Sequence, residues 1–402
     1  MEFSIGILRP SSPKYHQQPH IAAAPLAATR SACNSRSKSL HSNGLVDLML
    51  TIINAHGYLA GVVAFLICAG LLPLIRHTAV NLDIHDLPGH LKIHAVPIPR
   101  LGGIAIGIAI LASLMLSPFR GAPNVTGVCL ALMVIWYIGL LDDLMNLSPI
   151  VRLIAQLFAG VLVSQTPWGL KLVGMPLFDI VLTCLFVAVF VNAFNFLDGA
   201  DGLAGGVAGF IALGYAALYS NPALAIGGLV AWILLGACLG FLAFNFPPAR
   251  IFMGDSGSTT LGFVVAFLAL DFYRVHYHIG TRWLLPLVFA ALPLLDFFLA
   301  VLRRVRRRVS PLSGDRQHFY DLLLERGWSS MQVAFGAYAV TGALLIVGWI
   351  CMDASWQLSL IVSLATVAGL LLLAARLGAF RWGADFMLMS RHPRSSDRSS
   401  SD

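Results

Sequence analysis

Pro176–Gly206 reads PLFDIVLTCLFVAVFVNAFNFLDGADGLAGG. Its first part, 176–194, is long and apolar enough to cross a bilayer as a helix, which takes roughly 17–25 residues. Its second part, 195–206, holds Asp198 and Asp201 among glycines, and the chain then turns apolar again. Two carboxylates at the end of a bilayer-length segment are costly unless they serve a site.

The same alternation recurs outward from this stretch. Apolar segments lie at about 57–75, 101–118, 124–141, 150–165, 176–196, 203–220, 223–244, 257–272, 283–302, 331–352 and 355–376. The chain is 58% hydrophobic and 11% charged, with a mean hydropathy of +0.80. A soluble domain of 402 residues could not hide that much apolar surface. The runs are continuous rather than alternating, which excludes a β-barrel. The expectation is an all-α polytopic membrane protein with about 11 transmembrane helices.

Residues 1–46 are rich in Ser, His, Ala and Arg without apolar periodicity and read as a disordered tail, with Met49 as an alternative start. Residues 47–380 form the transmembrane domain and 381–402 a cytoplasmic tail. The cysteines, Cys33, Cys68, Cys129, Cys184, Cys238 and Cys351, include no CxxC pair and read as packing residues.

The net charge of +7 reads as topology, not as nucleic-acid binding. With the first helix entering from outside, the inner loops and C-terminal tail hold 17 Lys and Arg. The outer loops hold only Arg120, Lys171, Arg274 and Arg282. That assignment, made on basic residues alone, places 10 of the 19 acids on the inner face. They are Asp83, Asp86, Asp142, Asp143, Asp198, Asp201, Asp255, Asp315, Asp321 and Glu325.

Five inner loops therefore carry the chemistry. In GLLDDLMNLSP (139–149), Asp142 and Asp143 repel each other at the end of an apolar run, and a hard cation such as Mg²⁺ would neutralise them. Asn192, Asn195, Asp198 and Asp201 recur every three residues, which gathers polar groups on one side of a helix end, beside glycines that admit a ligand. In FNFPPARIFMGDSGS (244–258), Asp255 precedes a spanning helix whose N-terminus is an anion site, unless Asp255 or Ser256 is only its cap. An acid beside phosphate there implies a metal, and Phe252 could stack on a flat ring. DLPGHLKIHAVPIPRLGG (86–103) brings Lys92, His94 and Arg100. RRVRRRVSPLSGDRQHFYD (303–321) joins an arginine anchor for anionic lipid to Arg316 and His318, in a segment able to fold over the face. Asp296 lies inside the ninth apolar run and must be protonated, paired or facing a groove.

The ordered set LDDLMNLSP, NAFNFLDGADGLAGG, FMGDSGS and KIHAVPIPRLGG resembles the polyprenyl-phosphate N-acetylhexosamine-1-phosphate transferases over about residues 50–380. Eleven spans suit the WecA-like branch better than the related MraY branch. The resemblance implies that a polyprenyl phosphate attacks the β-phosphate of a UDP-N-acetylsugar and UMP leaves, with Mg²⁺ or Mn²⁺ required. It implies Asp142 and Asp143 as catalytic residues serving the lipid phosphate, with Asp142 sharing the metal of Asp255. Asn192, Asn195, Asp198 and Asp201 match the nucleotide-site stretch, Phe252 the aromatic that stacks on uracil, and Lys92 or His94 the basic loop. Arg316 and His318 match the last loop, where the family carries a histidine cluster; QHFYD keeps His318 but has Tyr320 and Asp321. That departure argues against a MurNAc-pentapeptide donor and for another UDP-N-acetylsugar, as used in O-antigen or cell-envelope polysaccharide synthesis. The partners implied are that nucleotide sugar, polyprenyl phosphate and the lipid of a bacterial inner membrane, with a homodimer allowed and no nucleic acid. Two other classes fit less well: a transporter, which would place its ionisable groups at the midplane between repeats, and a CDP-alcohol phosphotransferase, whose later acidic motif is missing after LDGADGLAGG.

Overall fold

The computed structural model describes residues 56–86, 97–117, 125–218, 225–276, 284–310, 317–352 and 354–379. All belong to one compact unit, Leu50–Asp402. Lys92, His94, Arg316 and both tails lie outside the described residues.

The fold is all-α. The helices are α1 (His56–Asn81), α2 (Gly102–Leu116), α3 (Val125–Met145), α4 (Pro149–Ser164), α5 (Pro176–Leu197), α6 (Leu203–Leu218) and α7 (Ala225–Asn245). They are followed by α8 (Gly254–His276), α9 (Leu285–Phe289), α10 (Ala291–Arg306), α11 (Phe319–Glu325), α12 (Ser330–Met352) and α13 (Trp356–Arg376). The described residues add one antiparallel pair of two-residue strands, β1 (His85–Asp86) and β2 (Ile98–Pro99).

The apolar segments of the sequence fall on helix, and among the described residues seven helices are long and apolar enough to cross a membrane, α1, α3, α5, α7, α8, α12 and α13, which does not confirm the count of eleven. α2, α4 and α6 are shorter apolar helices. The segment at 283–302 is two helices, interrupted at Ala290. Pro293 explains the break, because it has no N–H to give to Phe289 and its ring crowds that carbonyl. The five described cysteines are free and buried.

α8 is the axis of the bundle. Nearly nine-tenths of its apolar window is buried (89%), whereas α13 buries only 6%. In lipid, helices associate by close packing of small residues rather than by apolar burial. The start of α8, GDSGSTTLG, is built of such residues, and α2, α3 and α5 pack against α8. A Cβ on Gly103 of α2 would stand 2.1 Å from the Gly257 backbone nitrogen and 2.4 Å from Ser256 Oγ. Gly103→Ala should therefore push α2 off α8 and cost about 2 kcal/mol or more. Thermal unfolding in detergent checks this, and an unchanged midpoint would disprove the close approach.

Backbone hydrogen bonds stitch the second strand to the loop before α8. Phe252 N–H donates to Pro99 O (2.8 Å), Gly102 N–H to Phe252 O (2.9 Å) and Gly103 N–H to Met253 O (2.8 Å). Two of the motif-bearing loops, PIPRLGG and FMGDSGS, are thereby one structure.

Candidate active site

The site is assembled from the end of α3, the starts of α4 and α8, and the end of α5. The turn between α3 and α4 is only Asn146–Ser148. Asn146 takes a left-handed conformation (φ 52°), which Asn tolerates. Ser148 caps α4 by accepting from Val151 N–H, with Pro149 at the first helical position. Asp142 closes the same turn: its Oδ1 accepts Leu147 N–H at 2.6 Å. The reversal carries Arg152 back over Asp142, with a guanidinium nitrogen 2.8 Å from Oδ2. That same nitrogen lies 3.2 Å from Asp255 Oδ2.

Asp143 has a different task from its neighbour. Its Oδ1 accepts Asp255 N–H (2.8 Å), and its Oδ2 accepts Ser256 N–H (3.0 Å) and the Ser256 hydroxyl (2.6 Å). It is the anion at the α8 N-terminus, where the helix dipole favours negative charge. Gly254 makes this approach possible: it has φ 71°, and a Cβ there would be 2.4 Å from the Asp143 carboxylate. Both acids are buried, Asp142 4% and Asp143 3% exposed. The pair expected from sequence to serve the lipid phosphate together thus divides, Asp142 facing Arg152 and Asp143 tied into the helix start. Arg100 braces the same corner by donating to Asp143 O at 2.6 Å.

The α5 end also divides. Asn195 donates to Asp255 Oδ1 and, at 3.2 Å, to Ser258 Oγ, so it belongs to the cluster. Asn192 instead donates to Gln156 Oε1 (2.5 Å) and Ala188 O (2.7 Å), tying α5 to α4. Asp201 accepts Ala249 N–H at 3.0 Å and holds the loop before α8. Phe252 is half-buried in that loop. Asp198 is half-buried at the C-cap of α5, and its carboxylate finds no hydrogen-bond donor among the described residues. Burial, then the charges of Asp255, Asp143, Asp201 and Asp86, push its pKa well above the usual carboxylate range. The folded chain holds that proton more tightly than the unfolded one, so the group subtracts stability as pH rises from the usual range, about 4, through its raised pKa.

His318 is paired with Asp296 at 2.6 Å and lies edge-on to Phe196, two residues before Asp198. Two further acids, Asp179 and Asp271, have local donors. Asp179 accepts three loop N–H groups (Leu172, Val173, Gly174). Asp271 accepts from Trp168 and Arg274.

Among the described residues no three His, Cys, Asp or Glu side chains converge as a closed metal cage. Mg²⁺ is usually held by one or two carboxylates with phosphate and water completing its shell. The donor set here, Asp142 and Asp255 with an undonated Asp198 nearby, fits such an ion. Sequence reasoning missed Arg152 as a site residue, treating it only as inner-face positive charge. Its position in the first turn of the helix that follows the aspartate pair was the available signal.

The glycosyl transferase family 4 profile matches residues 125–273, the span from the start of α3 to near the end of α8 that contains the cluster. A probable undecaprenyl-phosphate N-acetylglucosaminyl 1-phosphate transferase of Bacillus subtilis is 28% identical over 315 residues, covering 75% of this chain and 87% of that protein. The decaprenyl-phosphate N-acetylglucosaminephosphotransferase of Mycobacterium tuberculosis is 34% identical over 310 residues, covering 67% and 76%. An undecaprenyl-phosphate alpha-N-acetylglucosaminyl 1-phosphate transferase of Yersinia pestis is 29% identical over 310 residues, covering 70% and 80%. With the motifs on one cluster and these relatives matched over most of their length, this chain belongs to the polyprenyl-phosphate N-acetylhexosamine-1-phosphate transferases of glycosyl transferase family 4.

Proposed function

We propose that the chain transfers N-acetylhexosamine-1-phosphate from a UDP-N-acetylsugar to polyprenyl phosphate at the cytoplasmic face of a bacterial inner membrane. Lipid-linked O-antigen or cell-envelope polysaccharide synthesis would begin with this step. The observation that carries the reading is the carboxylate cluster bridged by Arg152 at one end of an apolar bundle. There a water-soluble donor can meet a membrane-held acceptor. An apolar groove of about 470 Å³ between α5, α10 and α13, lined among others by Phe186, Phe190, Leu294 and Phe298, supports a prenyl acceptor.

In this reaction an oxygen of the acceptor phosphate bonds to the sugar-linked phosphorus. The bond from that phosphorus to the bridging oxygen breaks, and its electrons leave with UMP. Such transfer depends mostly on positioning and charge neutralisation. Asp255 and Asp142 would hold Mg²⁺ or Mn²⁺, which when bound screens the diphosphate charge. Arg152 fixes both carboxylates, and Asn195 orients Asp255. Both oxygens of Asp142 are engaged. That supports an organising role over proton removal, since an acceptor phosphate with a second pKa near ~6 is largely a dianion at neutral pH. Phe252, Asp198 and Asp201 are assigned to the nucleotide end, with Lys92 or His94 and Arg316 completing it. The relatives named for N-acetylglucosamine make UDP-N-acetylglucosamine the first donor to test.

UMP release should be measured for a panel of UDP-N-acetylsugars with undecaprenyl phosphate and Mg²⁺. Metal-dependent release from one sugar, lowered at least ~1,000-fold in Asp255→Asn, is expected. No release from any sugar by folded protein would return the transporter reading.

A further inference from the structure

Gln156 is a buried amide on the face that α4 turns toward α5, and it is 5% exposed. A buried amide needs a partner, and its partner is Asn192. Asn192 Nδ2 donates to Ala188 O at 2.7 Å and to Gln156 Oε1 at 2.5 Å. A backbone carbonyl oxygen can only accept, so Ala188 fixes which way the Asn192 amide points. The second Nδ2 hydrogen then fixes Gln156 with its oxygen toward α5. Among the described residues this is the only side-chain hydrogen bond between α4 and α5.

The bond stands one helical turn from the carboxylate cluster on both helices. Arg152 and Gln156 are four residues apart on α4, and Asn192 and Asn195 three apart on α5, so each helix carries its pair on one face. Arg152 and Asn195 converge on a single carboxylate. Arg152 lies 3.2 Å from Asp255 Oδ2, and Asn195 donates to Oδ1. Further along the same seam, a Cβ on Gly160 of α4 would be 2.5 Å from Cys184 Cα of α5. Against α8, a Cβ on Gly262 would stand 2.6 Å from Phe190 O of α5. Close packing of this kind fixes how near the helices come, while lipid supplies no apolar driving force to fix their sliding and rotation. A buried polar contact can specify that register.

We propose that Gln156 is a positioning residue for the transfer reaction: held by Asn192, it sets the register of α4 on α5 in which Arg152 and Asn195 grip opposite oxygens of Asp255. The inference rests on the transferase reading. Gln156 touches no reacting atom and acts through Arg152, one turn of α4 away.

The full chain in detergent, with UDP-N-acetylglucosamine, undecaprenyl phosphate and Mg²⁺, tests it. Gln156→Met keeps the length of the side chain and removes the acceptor; Asn192→Leu keeps the bulk and removes the donor. Each should lower kcat by about 10–100-fold, with KM for the nucleotide sugar within about threefold. The thermal midpoint should fall by no more than about 3 °C, because a hydrogen bond between membrane helices adds little stability. The double variant should be no slower than the slower single one, and Gln156→Met should cost nothing further in Arg152→Gln protein. An amide pair that only supports the fold would lower the midpoint and the folded fraction together, and its loss would multiply with that of Arg152→Gln. Multiplied losses, a wild-type kcat in both single variants, or loss of the folded protein in both overturn the proposal. Nitrogen-15 spectra of the arginine guanidinium, assigned with Arg152→Gln, read the geometry without turnover. The Arg152 Nη signals should be distinct in the wild type and averaged in Gln156→Met; the same signals in both overturn the proposal. The expected averaging in a wild type that releases no UMP supports the register role and counts against the transferase reading alone.

Discussion

Exchanging Arg152 for glutamine is expected to reduce UMP release at least ~100-fold and to lower the thermal midpoint in the same protein. One guanidinium nitrogen lies 2.8 Å from Asp142 and 3.2 Å from Asp255. Asp142 is nearly inaccessible to water, so its charge has little solvent to turn to. Opposite charges about 4 Å apart attract by roughly 4 kcal/mol near a protein surface, and stranding a buried charge costs about 3–5 kcal/mol. Arg152 is itself 29% exposed, which places the stability loss at or below the low end of that range. Turnover should suffer more, because two carboxylates lose their fixed spacing together. Arg152→Lys separates charge from geometry. Both contacts use a single nitrogen, so an ammonium can make both, and this variant should keep about a tenth or more of wild-type turnover. Glutamine at wild-type rate would remove Arg152 from the site. Lysine as slow as glutamine would show that the fork, rather than the point charge, is needed.

Much of the architecture was legible because lipid imposes a simple rule: bilayer-length apolar runs become helices. All of the apolar segments are helical. The count of eleven spans is not confirmed, since among the described residues α2, α4 and α6 are shorter apolar helices, and apolar length alone did not show that Pro293 interrupts the ninth segment. The site was partly legible. Asp142, Asn195 and Asp255 meet through Arg152 and direct hydrogen bonding. The three-residue spacing misled at its ends. Each such step turns about 60° short of a full circle, so Asn192 and Asp201 would face opposite sides even if the helix continued. α5 ends at Leu197, and the two side chains bond to Gln156 and to the Ala249 N–H. The tie between Asp296 and His318 crosses 22 positions and a change of helix, and no local period marks it.

The two adjacent aspartates should fail in different assays. Asp143→Ala removes the acceptor for two N–H groups and one hydroxyl at the start of α8, the most buried helix of the bundle. Those donors have no water at hand and a dipole that no longer meets an anion, which should cost about 3–5 kcal/mol. The expected outcome is a large fall in thermal midpoint and poor recovery of folded protein from detergent. Asp142→Asn keeps one carbonyl oxygen to accept Leu147 N–H and removes the charge facing Arg152. Its fold should survive with a small shift in midpoint, while UMP release falls by about 10²-fold or more. The difference follows from position: Asp143 is surrounded by its own chain's donors, whereas Asp142 shares Arg152 with Asp255, the residue assigned to the metal. Size-exclusion profiles and melting curves beside initial rates distinguish the two. An Asp143→Ala protein that folds normally and lacks only turnover would make both aspartates ligands, and the helix-capping account of Asp143 would be wrong. An Asp142→Asn protein with full turnover would leave Asp255 and Arg152 to organise the reacting phosphates without it.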